Sequence, residues 1–282
     1  MRGSRQEEIC PGVTPLEWMI VVASRQIRDG EVLLVGTQWP IVAALLAKRT
    51  CAPHAVICFE GGVILEDLPP RVPLWTADPV VGSSSSFQGD SLDILGAVLH
   101  AGVADRALLT AAAVDRYGNL ATTCVGAYES PEMRFGGSGG ACDFACLAKE
   151  TMVIIEHERH RFPAQVDFIT SPGFLHGDGS RYDAGLRQGT GPQCVVTTLG
   201  LFTFDERGEM VLSGTREGVC VEEVAAEVQW PLRVASGCRP LAGPTPEEIG
   251  ILREVIDPQG VYLRNRKGAP HNRPSTQGTG TP

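Results

Sequence analysis

The chain has 282 residues, 43% of them hydrophobic and 20% charged, with a net charge of -9. That is enough apolar content to bury a core in one large domain or two small ones, while the acidic balance and the scattered basic residues argue against a nucleic-acid or anionic-membrane surface. No stretch approaches the roughly 20 uninterrupted apolar residues of a membrane helix, and the amino terminus lacks the apolar centre of a signal peptide, so a soluble, cytoplasmic protein is expected.

Thr14-Pro15-Leu16-Glu17 reads as a helix start, with Thr14 as the cap, Pro15 in the first turn and Glu17 completing a capping box, and the helix is expected to run to about residue 28. Asp29-Gly30 stops it, and residues 31–35 read as a buried strand ending at Gly36-Thr37. Pro40 opens a second helix over residues 41–49, and 55–59 is the next strand. Strand, helix and strand with short connections are the signature of a parallel sheet with helices packed against it.

Residues 66–90, rich in proline and glycine and holding the serine run 83–86, are expected to be irregular. A helix follows at 91–101. Residues 106–114 and 120–125 read as strands and Asp115-Arg116-Tyr117-Gly118-Asn119 as turn chemistry, so the two pair as a hairpin. A small-residue helix follows the glycine loop at 136–140. Further strands are expected at 151–156, 194–198, 201–204 and 210–212, and helices at 221–228 and 246–255. The composition then turns basic, proline-rich and small, which divides the chain into one domain over residues 1–262 and a disordered tail over 263–282.

The nine cysteines, at positions 10, 51, 58, 124, 142, 146, 194, 220 and 238, are odd in number and spread through apolar segments, so buried free thiols are expected. Cys142 and Cys146 share a helix face, but no second pair with metal-ligand spacing accompanies them. His157 and His160 continue an apolar strand and lack the i, i+4 spacing of a helical zinc motif. No metal site is expected.

Two features carry chemistry. Glu60 is a carboxylate at the end of the apolar run Ala55-Val56-Ile57-Cys58-Phe59, immediately before Gly61-Gly62. The tip of a buried strand is where α/β proteins place reactive groups. Glu60 is therefore either a strand-end acid satisfied by backbone donors or a nucleophile toward an activated acyl group. The second feature is Gly136-Gly137-Ser138-Gly139-Gly140, which fits neither the dinucleotide fingerprint nor the phosphate loop. It is either a plain turn or a cradle of N–H groups for phosphate or an oxyanion.

Several blocks, in order over residues 15–260, resemble the β subunit of family I CoA-transferases of the glutaconate CoA-transferase type. They are Val35-Gly36-Thr37 with Pro40 and Ala47-Lys48-Arg49, Ala52-Pro53 with Phe59-Glu60-Gly61-Gly62, and Asp115-Arg116-Tyr117-Gly118-Asn119. Further on come Arg134-Phe135-Gly136-Gly137-Ser138-Gly139-Gly140-Ala141, His157-Glu158-Arg159-His160-Arg161-Phe162 and Thr170-Ser171-Pro172-Gly173. Gly191-Pro192-Gln193 with Val195-Val196-Thr197, and Phe204-Asp205-Glu206, complete the set.

The resemblance implies an α/β fold with a largely parallel central sheet and flanking helices, CoA-transferase-like (NagB/RpiA-like). It implies Glu60 as the catalytic glutamate, which takes up CoA as a glutamyl thioester, so that coenzyme A is substrate and covalent intermediate and no permanently bound cofactor is needed. Oxyanion and CoA contacts are then expected from Gly36, Thr37, Asn119, Gly137, Ser138, Gly139 and Gly140. Arg134, Lys48 and Arg49 are either phosphate contacts or solvated charges. A separately encoded α subunit completes the site in a hetero-oligomer, α2β2 or larger, acting on an acyl-CoA and a carboxylic acid.

One position departs from the family. Its hairpin usually reads Gly-Asn-x-Asn, and here Ala121 follows Gly118-Asn119-Leu120. Two other roles fit a CoA-transferase-like chain: a component of a hydrolase that opens rings in CoA thioesters of steroid or polycyclic catabolism, or a catalytically silent scaffold.

Overall fold

In the computed structural model, which describes residues 12–263, Thr14 caps the first helix through side-chain chemistry. Its hydroxyl accepts from the Glu17 N–H at 3.2 Å, and the Glu17 carboxylate accepts from the Thr14 N–H at 2.8 Å. Helix α1 (Pro15–Ser24) is buried from Leu16 to Ser24. It ends four residues before the expected boundary, because the Gln26 and Ile27 N–H groups reach back only three residues, to Ala23 and Ser24.

Strand β1 (Val32–Val35), helix α2 (Trp39–Arg49) and strand β2 (Val56–Phe59) follow, and β1 pairs parallel to β2. The chain then turns back through β3 (Val63–Leu65) and β4 (Ser85–Gln88), which extend the sheet antiparallel beyond β2. β4 and a 3-10 turn at Pro79–Ser84 give order to part of the segment expected to be irregular. Leu92–Leu99 is helical with i→i+5 winding.

The stretch expected to be one strand over 106–114 divides. Its first part, β5 (Arg106–Leu109), enters the main sheet beside β1. The remainder, β6 (Ala113–Val114), pairs with β7 (Leu120–Ala121) as the expected hairpin, much shortened. A β-ribbon of β8 (Cys124–Val125) and β9 (Met133–Arg134) then leads into the glycine loop and helix α3 (Ala141–Leu147).

Strand β10 (Glu150–Ile155), helix α4 (Ser180–Asp183) and strands β11 (Gly191–Thr197), β12 (Gly200–Phe204) and β13 (Met210–Thr215) follow. Helix α5 (Val221–Ala226), strand β14 (Arg233–Pro240) and helix α6 (Pro246–Gly250), which continues over Ile251–Ile256 with i→i+5 winding, are the last elements of the described residues. The sheet order is β14-β13-β12-β11-β10-β5-β1-β2-β3-β4. The five central strands, β11, β10, β5, β1 and β2, are mutually parallel, in the largely parallel α/β arrangement expected.

Alternation along the central strands divides the core between the two faces of the sheet. Leu33, Val35, Ile57 and Phe59 join α1 and α2 in one cluster, whereas Leu34, Cys58, Val153 and Ile155 join Phe144, Phe162 and Phe202 in the other. Burial on both faces is why these strands read as uninterrupted apolar runs. At their amino-terminal edge Arg106, fully buried, places Nη2 3.0 Å from Glu31 and 2.7 Å from Glu150, and its Nη1 donates to Gln193 at 2.8 Å. One guanidinium thus ties together the starts of four neighbouring strands.

Three expectations need correction or qualification. Cys58, Cys124 and Cys194 are buried thiols, but Cys51 and Cys220 are exposed because they stand at helix ends, just after α2 and at the start of α5, and Cys142 and Cys146 in α3 and Cys238 in β14 are half-buried. His157 lies beyond the end of β10. Its ring nitrogens face Thr197 Oγ1 at 3.1 Å and the Val224 carbonyl at 3.2 Å, and the ring stacks on Phe162. Cys10 and the tail from residue 264 lie outside the described residues. Among the described residues no helix is long and apolar enough to cross a membrane.

Candidate active site

Parallel strands deliver their carboxyl ends to one edge of the sheet, so the residues that follow β1, β2 and β5 become neighbours. Those residues are Gly36-Thr37-Gln38, Glu60, and Thr110 to Ala112, and together they line part of a cavity of about 600 Å³. The rest of the wall comes from Thr122, the loop from Phe135 to Ser138, Phe144 of α3, and Arg161.

Glu60 is half-buried in this wall, and each of its carboxylate oxygens accepts one hydrogen bond. The Gly140 N–H donates to Oε2 at 2.8 Å and the Thr76 hydroxyl donates to Oε1 at 3.2 Å. A Cβ at position 140 would overlap Oε2, so any other residue there would push the Glu60 carboxylate off this backbone N–H. The glycine loop and the strand-end acid, 80 positions apart in the chain, form a single unit.

Of the residues expected at the site, Gly36, Thr37, Gly137 and Ser138 line the same cavity as Glu60, and Gly139 lies beside its carboxylate. Two of the backbone donors expected here are already engaged. The Gly36 N–H donates to the Leu108 carbonyl and the Gly137 N–H to the Thr122 carbonyl, each at 2.9 Å. They hold the shape of the wall and do not point into it. The N–H groups of Thr37, Ser138 and Gly139 take no partner among the described residues and are the ones open to a ligand.

Asn119 is not brought to the cavity. It is buried beneath the hairpin, where its Nδ2 donates to Asp115 at 3.0 Å and to the Leu175 carbonyl at 2.8 Å, while its Oδ1 accepts from the Gly173 N–H at 2.8 Å. That side chain is fully used in holding the turn, a role that turn chemistry alone supplies. Ala121 packs with Ala113 and Val166 in a small cluster on the far face of the hairpin from Thr122, so a longer residue there would not face Glu60.

The basic residues separate likewise. Lys48 donates to the Ala55 carbonyl at 3.0 Å, before β2 begins, and so lies with Arg49 at the opposite edge of the sheet from Glu60. Arg134 is exposed and stacks over Tyr128, 4.8 Å from the ring centre. Arg161 is the guanidinium in the cavity wall, half-buried and 2.9 Å from Glu158.

Gln38 and Thr76 also escape a reading of the sequence. Gln38 adopts φ 65° and ψ -123° at the start of α2, a conformation that costs about 1–3 kcal/mol and in native proteins clusters at functional sites. Neither residue type nor spacing marks it. Thr76 stands in the proline-rich segment whose pairing with Glu60 only the fold creates.

Residues 16–227 match the coenzyme A transferase family. The chain is 33% identical over 259 residues to the B-type subunit of glutaconate CoA-transferase from Acidaminococcus fermentans, covering 89% of this chain and 95% of that one. A solved structure of glutaconate coenzyme A-transferase from that organism superimposes with a TM-score of 0.84 over 90% of this chain and 98% of its own. Identity is 34% over 240 residues to the B-type subunit of 3-oxoadipate CoA-transferase from Pseudomonas knackmussii, covering 85% of this chain and 92% of that one. It falls to 23% over 81% of the chain for the cholesterol ring-cleaving hydrolase IpdB subunit of Rhodococcus jostii, covering 85% of that one. A strand-end glutamate anchored to a glycine loop, on a chain with this extent of similarity, belongs to the coenzyme A transferase family, among its B-type subunits.

Proposed function

We propose that this chain, joined to a separately encoded A-type subunit, moves CoA between an acyl-CoA and a carboxylic acid, with Glu60 as the nucleophile. The supporting observation is the Glu60 carboxylate itself, held by one donor on each oxygen at the wall of a cavity at the carboxyl edge of the parallel sheet.

The carboxylate attacks the thioester carbon of the acyl-CoA, and the thiolate of CoA leaves with the C–S bonding pair, giving a mixed anhydride. The thiolate then attacks the glutamyl carbon, the product acid departs, and Glu60 carries CoA as a thioester. An incoming acid reverses both steps. No redox partner, metal or ATP enters the balance. Each tetrahedral intermediate places a negative charge on oxygen, and fixed N–H donors suit it because they need no reorganisation at the moment of reaction.

Water has to be kept from the thioester, or it hydrolyses. A cavity walled by one chain is closed by the partner subunit in this reading, in keeping with the names of the relatives, which make each of them one component of a larger enzyme. The complex is an α2β2 heterotetramer or a larger assembly.

The test is chemical trapping on the reconstituted complex. Incubation with an acyl-CoA and then borohydride or hydroxylamine is expected to modify the peptide containing Glu60, as read by mass spectrometry, and Glu60→Gln is expected to abolish both trapping and turnover. A ring-opened product without modification would support a hydrolase, and neither product nor modification would support a scaffold. A panel of dicarboxylic, 3-oxo and aromatic acids as acceptors identifies the acid.

A further inference from the structure

Thr76 is 5% exposed, and its hydroxyl lies 3.2 Å from Oε1 of Glu60. The segment that carries it is fastened independently of the site. Asp78 accepts both guanidinium nitrogens of Arg71 at 2.7 and 2.9 Å, the Leu74 N–H at 2.9 Å and the Val80 N–H at 3.0 Å. The Tyr262 hydroxyl donates to the Pro73 carbonyl at 2.7 Å. The segment also lies hard against the turn after β2. A Cβ at Gly61 would be 3.2 Å from the Thr76 carbonyl oxygen and 3.0 Å from Cβ of Ala77, so glycine at position 61 admits Thr76 to the carboxylate.

The two donors on Glu60 differ in kind. Gly140 offers a backbone N–H with no rotational freedom, at 2.8 Å, and Thr76 offers a longer bond from a hydroxyl that rotates about its C–O axis. Reacting atoms need the second arrangement on one side and the first on the other. The oxygen that attacks must release its donor's hold as its lone pair becomes a bond, whereas the oxygen that becomes the oxyanion gains from a donor already in place.

We propose that Thr76 is the positioning residue of Glu60 and that, opposite Gly140, it makes the two carboxylate oxygens inequivalent, with Oε1 the reacting oxygen and Oε2 the retained one. The inference rests on the covalent transfer reading above and goes beyond it by assigning each oxygen a fate. Oε1 bonds to the acyl carbon as the C–S bond breaks. When the thiolate then attacks the glutamyl carbon, charge collects on Oε2 at the Gly140 N–H. Collapse of that intermediate breaks the bond between the glutamyl carbon and Oε1, so the product acid leaves carrying Oε1. In the second half-reaction the incoming acid supplies the oxygen that replaces it. Oε2 never leaves the protein.

The experiment uses the reconstituted complex turning over an acid whose carboxylate is labelled with the heavy oxygen isotope, followed by mass measurement of the Glu60 peptide. Wild-type protein is expected to take up one heavy oxygen and no more, however many turnovers pass. Thr76→Val, which keeps the shape and removes the hydroxyl, is expected to lower kcat roughly 10- to 100-fold, the loss of one hydrogen bond to a charged group, with KM for the acyl-CoA little changed. It is also expected to admit a second heavy oxygen, because the carboxylate then rotates between turnovers. Thr76→Ser is expected to restore both readouts.

Two heavy oxygens in the wild type, or Thr76→Val with wild-type kcat and one label, would overturn the assignment while leaving covalent transfer intact. A serine variant as impaired as the valine variant would overturn it too, since packing and not the hydroxyl would then be at work. A wild-type complex that turns over with no label in Glu60 would instead overturn the covalent reading beneath it.

Discussion

The Gly140 N–H and Oε2 of Glu60 are 2.8 Å apart, and a Cβ at position 140 would overlap that oxygen. Gly140→Ala therefore drives the Glu60 carboxylate off this fixed donor. Loss of such a donor costs about 3 kcal/mol of transition-state stabilisation, so kcat of the reconstituted complex is expected to fall roughly 100-fold. Steady-state kinetics beside a melting curve check this, since the loss must appear without a comparable loss of fold.

Arg161 is the guanidinium in the cavity wall, and Lys48 and Arg49 sit at the other edge of the sheet. For anionic substrates the expected outcome is asymmetric. Arg161→Gln raises KM for the acid or acyl-CoA by about 10-fold, the worth of one partly buried charge contact. Lys48→Gln leaves both values within about twofold. Equal effects from the two variants would contradict the geometry.

The bolt formed by Arg106 with Glu31, Glu150 and Gln193 is a matter of stability and not of chemistry. Arg106→Met leaves the carboxylate of Glu31, itself nearly buried, with only the exposed guanidinium of Arg28, 3.3 Å away. Removing one partner of a buried pair is expected to cost about 3–5 kcal/mol. Denaturant titration measures it, and a loss below about 1 kcal/mol would mean that water or rearrangement satisfies Glu31.

His157 gives the protein a pH dependence of stability. Burial pushes its ring down to about 4, although the Val224 carbonyl and Glu227 act the other way. In the unfolded chain a histidine takes up its proton near 6.5. Below that value the unfolded state binds the extra proton first and gains free energy over the fold. The contribution of neutral His157 is thus full above about pH 6.5 and is lost as the pH falls toward 4. Between about pH 7 and pH 5 the wild type is expected to lose about 2 kcal/mol more than His157→Phe in urea unfolding.

Residue types and local order by themselves determined the alternation of apolar runs that became β1, β2, β10 and β11, the capping box at Thr14, and the position of Glu60 at a strand tip beside glycines. These are readable because burial on both faces of a parallel strand, and satisfaction of a helix start, depend on neighbours within a few positions. The structure alone decided which distant groups meet. Gly140 reaches Glu60 across 80 positions and Thr76 across 16. The same assembly leaves Asn119 tied to its own turn, and β14, exposed along most of its length, took its place without an apolar pattern to announce it. Sequence periodicity carries the demand of each segment for burial, but a hydrogen bond between segments exists only once the sheet has set their ends side by side.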